Sequence, residues 1–157
     1  MSDLSAAAQR VQDALHDRGV DAEVRELPSS TRTAADAAAS IGCEVGAIAN
    51  SLVFIADETP LLVMTSGRHR VHEKRLARRL GVGVVRRAAP DEVRAATGQV
   101  IGGVSPVGHP APLRTIVDEV LAEYDEIWAA AGTPNAVYRT TFAELVRVTD
   151  GEVAAVD

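Results

Sequence analysis

The sequence predicts an α+β domain built on a curled mixed β-sheet. Predicted strands outnumber predicted helices by eight to five, and several strands follow one another without a helix between them, which excludes a simple alternation of strand and helix. The chain has 157 residues, 46% of them apolar, enough for one hydrophobic core. Because it contains no internal repeat, low-complexity tail or linker, we expect one domain over residues 1–157.

The predicted helices combine an apolar face with residues that favour helix ends. In the first helix, apolar side chains recur at helical spacing and a glycine follows. Thr31 or Thr33 can cap the second helix, and Gly42 ends it. The predicted helices cover residues 4–18, 34–41, 71–80, 91–97 and 141–148.

The predicted strands are short and are bounded by turn-forming residues. Residues 20–27 alternate apolar and charged side chains, as a half-buried strand does, and the apolar runs 51–56 and 61–65 flank a turn and so predict a hairpin. Glycine and proline interrupt residues 99–112 too often for regular structure. The predicted strands are 20–27, 51–56, 61–65, 82–85, 114–118, 126–131, 136–139 and 152–156, with a turn or short helix at 121–124.

The charge is unevenly distributed along the chain. The formal net charge is −6, yet residues 68–87 carry eight basic side chains against one acid, a net +7 that leaves the other 137 residues at −13. A basic segment on an acidic body suits a domain that holds a phosphate backbone at one face, whereas a solvated helix face explains the charge alone equally well. The helix over residues 71–80 turns outward Lys74, Arg75, Arg78 and Arg79.

Several protein classes are disfavoured by what the sequence lacks. No apolar run approaches the roughly 20 residues that cross a bilayer, and the first residues do not resemble a signal peptide, so we expect a soluble cytoplasmic protein without a membrane partner. Cys43 is the single cysteine, which excludes an intrachain disulfide and a cysteine-rich zinc site. His69 and His72 can share a helix face but have no third ligand nearby, so no metal is expected. Neither a phosphate-binding P-loop nor a hydrolase nucleophile elbow is present.

The stretch Ile-Gly-Gly-Val-Ser-Pro-Val-Gly-His-Pro at residues 101–110 is the most informative in the chain. Its glycines allow a ligand to approach backbone N–H groups, and its prolines hold the loop in shape. A tight turn that only connects two strands has the same composition. His109, inside this loop, either donates to a ligand oxygen or hydrogen-bonds loop carbonyls.

Polar residues also mark the ends of the predicted hairpin strands. Asn50 and Ser51 begin the first strand, and Thr65, Ser66 and Gly67 close the second. A hairpin would bring these ends to one opening, where an amide and a hydroxyl can orient a sugar hydroxyl or a water. Such residues are also common as simple hydrogen-bonding groups at loop ends.

Five segments together resemble the YbaK family, the aminoacyl-tRNA synthetase-associated editing domains that are also found inserted in bacterial prolyl-tRNA synthetases. The resemblance spans residues 22–156, and the combination of a Gly-Gly-x-x-Pro-x-Gly loop with an Asn/Lys-Ser-Leu-Val strand is specific. The matching segments are residues 33–38, 48–54, 65–67, 101–109 and 130–135.

The resemblance implies a mixed, barrel-like sheet flanked by helices, and hydrolysis of the ester between a wrong amino acid and the terminal adenosine of a tRNA. A water would attack with help from the ribose hydroxyl, the loop from Gly103 to Pro106 would present backbone amides, and no cofactor is expected. The expected partner is the acceptor end of an aminoacyl-tRNA of the proline type, charged with alanine or cysteine. A synthetase is a further candidate partner, and DNA is not an expected one. By resemblance, Asn50, Gly103 and Pro106 are catalytic, and Thr33, Ser51, Ser66, Gly67, Gly102, Val104, Ser105, Gly108 and His109 bind substrate. On their charge, the four basic residues of 71–80 are the expected tRNA contacts.

One departure from the family pattern concerns the site itself. Many members carry a lysine at the position of Asn50, and the single lysine of this chain is Lys74. An asparagine can hydrogen-bond a phosphate or hydroxyl but supplies neither positive charge nor a titrating amine. Three hypotheses follow: a trans-editing deacylase, a non-catalytic module that binds tRNA or a synthetase, and a small-molecule hydrolase on the same fold.

Overall fold

A computed structural model describes residues 4–28 and 33–157, and this part of the chain forms five α-helices and eight strands. The helices are α1 (Ala6–Asp17), α2 (Ala34–Ile41), α3 (Glu73–Leu80), α4 (Pro90–Thr97) and α5 (Phe142–Thr149). The strands are β1 (Arg25–Glu26), β2 (Ile48–Ala56), β3 (Thr59–Ser66), β4 (Val85–Arg87), β5 (Arg114–Asp118), β6 (Ile127–Ala130), β7 (Ala136–Thr140) and β8 (Glu152–Ala154). Short 3-10 helices cover Val45–Ala47 and Glu119–Glu123.

All eight strands belong to one mixed sheet. The order is β1-β7-β6-β2-β3-β5-β8, and β4 pairs with β2 beside this path. Three of the pairings are parallel, namely β2 with β6, β3 with β5, and β5 with β8. In the described residues β1 and β8 are not paired with each other, so the sheet stays open rather than closing into a barrel. The predicted α+β class and mixed sheet are confirmed.

One edge of β2 is divided between two partners. Its other edge pairs with β3 over eight residue pairs, from Ala49 opposite Ser66 to Ala56 opposite Thr59. On the divided edge, β6 pairs with the first two residues of β2, and β4 pairs with residues 54–56. Within the described chain, residues 50–52 therefore have a strand neighbour on one side only, which leaves a gap in the sheet.

Helices cover both faces of the sheet. Alternate residues of β2 point to opposite faces: Ile48 packs in the cluster of α2, and Phe54 packs in the cluster of α3. Val53 points the other way, into the large cluster that contains the apolar faces of α1, α4 and α5. Burying a leucine- or valine-sized side chain in such clusters is worth roughly 1.5–3 kcal/mol, so the two layers hold β2 firmly on either side of the gap.

The strand predicted over residues 20–27 is confined to β1. Groups of α1 take the hydrogen bonds that a longer strand would need: Val24 N–H donates to Gln12 Oε1 at 3.0 Å, and His16 Nε2 lies 3.1 Å from Ala22 O. The backbone before β1 is thus satisfied by helix side chains rather than by a neighbouring strand.

The strand predicted over residues 82–85 is placed too early in the sequence, because β4 begins at Val85 and ends at Arg87. The N–H groups of Gly83 and Val84 donate to the Asp57 carboxylate, at 2.8 and 2.9 Å. Asp57 and Glu58 form a two-residue turn with φ values of +46° and +74°, the geometry of a primed hairpin turn. The predicted hairpin is confirmed, with longer strands than expected.

Other predictions are confirmed at their bounds. Helix α2 and strand β5 have the predicted limits. Residues 99–112 form turns and bends and contain no helix or strand, as predicted. Thr33 caps α2 by accepting from Asp36 N–H at 3.0 Å, while Thr31 lies outside the described residues. No helix among residues 4–28 and 33–157 is both long and apolar enough to span a membrane.

Candidate functional site

A cleft of about 260 Å³ opens where β2 lacks a partner strand, and we call it the β2 cleft. Its walls come from α2, β2, β6, β7 and two loops, and Gly102 is among its lining residues. A smaller cavity of about 110 Å³ on the other face of the sheet shares Ser51, Leu52 and Gly102 with it. The lining residues include Thr33, Ala34, Asn50, Gly102, Trp128 and Pro134.

Asn50 and Ser51, predicted as neighbours in the site, lie on opposite faces of β2. Asn50 is half-buried opposite Thr65, and its side-chain amide makes no hydrogen bond within the described chain. Ser51 points to the α1 side, where its hydroxyl donates to Met64 Sδ at 3.2 Å. The cleft on the α2 side therefore receives the amide of Asn50 but not the hydroxyl of Ser51.

Ser51 still contributes its backbone to the gap. Val53 C=O accepts a hydrogen bond from Ala88 N–H at 3.1 Å on the divided edge. Because backbone groups alternate along a strand, Ser51, two residues earlier, turns its own N–H and C=O to the same edge, where no strand follows in the part of the chain described. The gap thus exposes one peptide donor and one acceptor beside the cleft.

The glycine loop is held mainly by its own hydrogen bonds. Gly103 N–H donates to Val100 O at 3.1 Å, and Gly103 O accepts from Gly132 N–H at 2.9 Å. A Cβ on Gly103 would lie 2.5 Å from the carbonyl carbon of Thr133, so this position requires glycine for backbone packing. The Gly103 amide therefore serves the loop and not the cleft.

The next residues of the loop are also buried. Ser105 N–H donates to Gln99 Oε1 at 2.7 Å, and Ser105 Oγ donates to Val107 O at 2.6 Å. Pro106 is buried and has no N–H. Gly102 lies at the β2 cleft, and its N–H makes no hydrogen bond inside the described segments, so it is a donor that a ligand in the cleft can use. The N–H of Val104 also makes none there, but Val104 is buried and lines only the smaller cavity.

Gly108 and His109 lie away from the β2 cleft. His109 Nε2 is 2.9 Å from Ser105 O, the loop hydrogen bond that was one of its two predicted roles. Burial lowers the pKa of the His109 imidazole, which keeps the ring neutral at neutral pH. The ring lines a separate cavity of about 610 Å³, and Gly108 lines a third.

Ser66 and Gly67 fix the chain that precedes β2 and do not line the cleft. Ser66 Oγ donates to Gly46 O at 2.6 Å, and Gly67 N–H donates to Ile48 O at 2.8 Å. A Cβ on Gly67 would overlap the carbonyl oxygen of Val45. These contacts explain the residue types by packing.

The two histidines considered as metal ligands have other partners. His69 Nδ1 lies 2.9 Å from Oδ2 of the buried Asp118, and His72 Nδ1 accepts from Arg75 N–H at the start of α3. Within the described ranges no three histidine, cysteine or acidic side chains converge on a possible metal position.

The basic residues of α3 lie on the same face of the sheet as Asn50. Lys74, Arg75 and Arg78 are exposed and form no ion pair with a carboxylate of the described residues. Arg79 instead donates to the carbonyls of Ala155 and Asp157, at 2.9 and 3.1 Å. Three of the four predicted tRNA contacts are thus unengaged.

Trp128 and Pro134 line the cleft but were not predicted as site residues. Trp128 is half-buried, and the Arg25 guanidinium lies 5.2 Å from its ring centroid. Residues 130–135 were matched to the family without a role, so Pro134 had a signal in the sequence. Trp128 had none, because only its pairing with Ile48 across β2 and β6 brings it to the cleft.

Comparisons with known proteins identify one family and several relatives. Residues 28–148 match the family model of the aminoacyl-tRNA editing domain. A crystal structure of a candidate trans-editing enzyme for prolyl tRNA synthetase is 46% identical, with a TM-score of 0.93 over 99% of each chain. EbsC of Enterococcus faecalis, named as a candidate Cys-tRNA(Pro)/Cys-tRNA(Cys) deacylase, is 27% identical over 79% of this chain and 76% of its own. The proline–tRNA ligase of Streptococcus sanguinis is 26% identical over 78% of this chain, which corresponds to 21% of the ligase.

Proposed function

The chain belongs to the aminoacyl-tRNA editing domain family, and from that premise we propose that it is a trans-editing deacylase, which hydrolyses the ester of a mischarged tRNA. The observation that carries the proposal is the gap beside β2. There the side-chain amide of Asn50, the unpaired backbone N–H and C=O of Ser51, and Gly102 meet at one cleft. The names of EbsC and of the structural relative support proline-type tRNA as the substrate, and the name of EbsC supports cysteine as the amino acid. Alanine is the other amino acid that the family resemblance implies.

The walls of the β2 cleft support a short amino-acid side chain. Ala34 of α2 and Ala130 of β6 are small, while Trp128 and Pro134 are large and limit the depth. A synthetase pocket separates side chains that differ by one methylene by only about 1–3 kcal/mol, so mischarging by smaller amino acids requires a second site that hydrolyses the product.

In the mechanism that we propose, a water attacks the ester carbonyl. The water oxygen bonds to the carbonyl carbon, the bond to the ribose oxygen breaks, and the ribose oxygen takes the proton, with the neighbouring ribose hydroxyl assisting. Asn50 Nδ2 and the N–H of Gly102 or Ser51 donate to the oxygen that becomes negative. Neither hydroxyl of the cleft's described lining is hydrogen-bonded to a histidine that could activate it, because Thr33 Oγ1 accepts the cap hydrogen bond and Ser51 Oγ donates to Met64 Sδ.

Asn50 also supports the alternative, a module that binds tRNA without cleaving it. Its amide is neutral and does not titrate, so it supplies none of the charge that the lysine-bearing members have at this position. The deacylase mechanism proposed above requires only that Asn50 donate a hydrogen bond. If hydrolysis instead requires a cation at this position, Asn50 abolishes it and the binding module remains.

The test is deacylation of a panel of charged tRNAs by the purified protein. We expect hydrolysis of alanyl- or cysteinyl-tRNA of the proline type, with prolyl-tRNA left intact, and a loss of about 10²-fold in Asn50→Ala. Binding of tRNA without hydrolysis of any panel member would contradict the deacylase and support the binding module. Hydrolysis of small esters alone would support the small-molecule hydrolase.

A further inference from the structure

A second concave surface lies beyond the glycine loop from the β2 cleft. It is a groove of about 560 Å³ between α1 and α4, and we call it the α1–α4 groove. Its lining includes Arg10 of α1, Arg94 of α4, and the apolar residues Val11, Val100 and Pro134.

The groove carries positive charge that nothing neutralises in the described segments. Arg10 and Arg94 are both exposed, and neither forms an ion pair with a carboxylate of residues 4–28 or 33–157. The lining found among those residues contains no aspartate or glutamate. Three other arginines outside residues 68–87 are paired with carboxylates: Arg114 with Glu152, Arg139 with Glu126 and Arg147 with Glu144. Two unpaired guanidinium groups on one groove are suited to bind phosphate.

The same groove offers apolar surface beside the charge. Val100, which lines the groove, is 39% exposed although it is a large apolar residue, and Pro134 is exposed as well. The wall of the groove that contains Gly132 packs closely on α1, because a Cβ on Gly132 would lie only 2.9 Å from Ala7 O. Apolar surface next to arginine is the combination on which single-stranded nucleic acid binds, with bases on the apolar groups and phosphates on the cations.

The groove and the cleft share a wall. Pro134 lines both, and Val100 in the groove is two residues from Gly102 in the cleft. A tRNA whose terminal adenosine lies in the cleft can leave it over this wall. Resting on the proposed function, we infer that the α1–α4 groove binds the single-stranded 3′ nucleotides that precede the terminal adenosine, with Arg10 and Arg94 on their phosphates and Val100 and Pro134 against their bases.

The test measures binding of a 5′-labelled proline-type tRNA, either intact or lacking its three 3′-terminal nucleotides. The variants are Arg10→Gln, Arg94→Gln and the double variant, and Arg147→Gln is the control that removes one exposed, paired arginine elsewhere. We expect each groove variant to weaken binding of intact tRNA about five- to tenfold and to reduce the salt dependence by about one phosphate contact. Binding of trimmed tRNA should be the same as for the wild-type protein.

Unchanged binding of intact tRNA in the double variant would overturn the inference. So would an equal loss on intact and trimmed tRNA, because the arginines would then contact the duplex stem. Deacylation can be followed with the same variants, so that the two proposals fail separately. If the double variant deacylates tRNA with the same kcat/KM as the wild-type protein, the groove proposal is refuted and the deacylase is not. If binding depends on the 3′ end and on Arg10 and Arg94 but no deacylation occurs, the groove is supported and the deacylase is refuted.

Discussion

Tyr138 places both its ring and its hydroxyl in the core on the α1 side of the sheet, where the residue is 1% exposed. The hydroxyl has no hydrogen-bond partner in the described chain. Burial, with Glu144 nearby, raises the pKa of Tyr138 far above its ordinary value, so the group is neutral and unsatisfied at any physiological pH.

Tyr138→Phe is expected to stabilise the protein. It removes a buried polar group without a partner and leaves the ring in place, so the free energy of unfolding should rise by about 1 kcal/mol, measured by urea denaturation. Tyr124→Phe is the matched control, because the Tyr124 hydroxyl accepts from Arg68 Nη1 at 3.0 Å and its loss should not stabilise. Lower stability in Tyr138→Phe would contradict the unsatisfied state of this hydroxyl.

Single residues of the site show where sequence reasoning stops. The resemblance picked out Asn50 and Ser51 together, but the two-residue period of a strand sends them to opposite faces. Ser66, Gly67 and Gly103 have the residue types of the family because of packing and loop hydrogen bonds that are long-range in sequence. Residue type was predictable from the pattern, whereas the direction of each polar group was not.

At the scale of elements, the turn between β2 and β3 ties the hairpin to the segment before β4. The Asp57 carboxylate accepts the N–H groups of Gly83 and Val84, and these two bonds hold the pKa of Asp57 below its ordinary value. A carboxyl with a lowered folded pKa stabilises the fold above its unfolded pKa, and this stabilisation is lost as the pH falls through the folded value.

Asp57→Asn is therefore expected to lower Tm at pH 7 and to have progressively less effect as the pH falls below about 4. Asparagine tolerates the positive φ of the turn, so the substitution removes the charge with little change in backbone preference. Thermal unfolding at a series of pH values measures the difference. A Tm difference that does not depend on pH would contradict the role of the carboxylate.

Helix α3 is expected to hold tRNA through its three unengaged basic residues. The triple variant Lys74→Gln, Arg75→Gln, Arg78→Gln should weaken tRNA binding at least tenfold at low salt, and the slope of log affinity against log salt should become shallower by up to about 3. Arg79 is left unchanged because it binds two backbone carbonyls at the end of the chain. The double variant Arg139→Gln, Arg147→Gln, which removes paired arginines, is the control. If both proteins bind as tightly as the wild type, the basic face is only solvated.

Helices were easier to predict than strands, for a physical reason. A helix satisfies its own backbone, so the spacing of apolar residues and the caps located α2 at its observed limits. A strand depends on partners elsewhere: Gln12 and His16 of α1 shortened β1, and Asp57 displaced the start of β4. These side chains carry no local signal for the strands that they alter.

At the scale of the whole molecule, the site is a consequence of sheet topology. The α+β class followed from the count and order of elements, but the gap on β2 requires two strands on one edge, β4 from 30 residues downstream and β6 from about 80. Charge is distributed on the same scale: the unengaged basic residues of α3 share the Asn50 face, and Arg10 and Arg94 lie beyond the loops that bound the cleft. One substrate can contact both if its 3′ end passes over Pro134.

The most direct measurement of the central claim is single-turnover release of alanine from alanyl-tRNA of the proline type, with the protein in excess. Asn50→Asp has nearly the shape of the native side chain but cannot donate a hydrogen bond when ionised. We expect the wild-type protein to release alanine well above the buffer rate, and Asn50→Asp to lower that rate at saturating protein by about 10²-fold or more. A wild-type rate equal to that of buffer, or equal rates for the two proteins, would contradict hydrolysis at the β2 cleft.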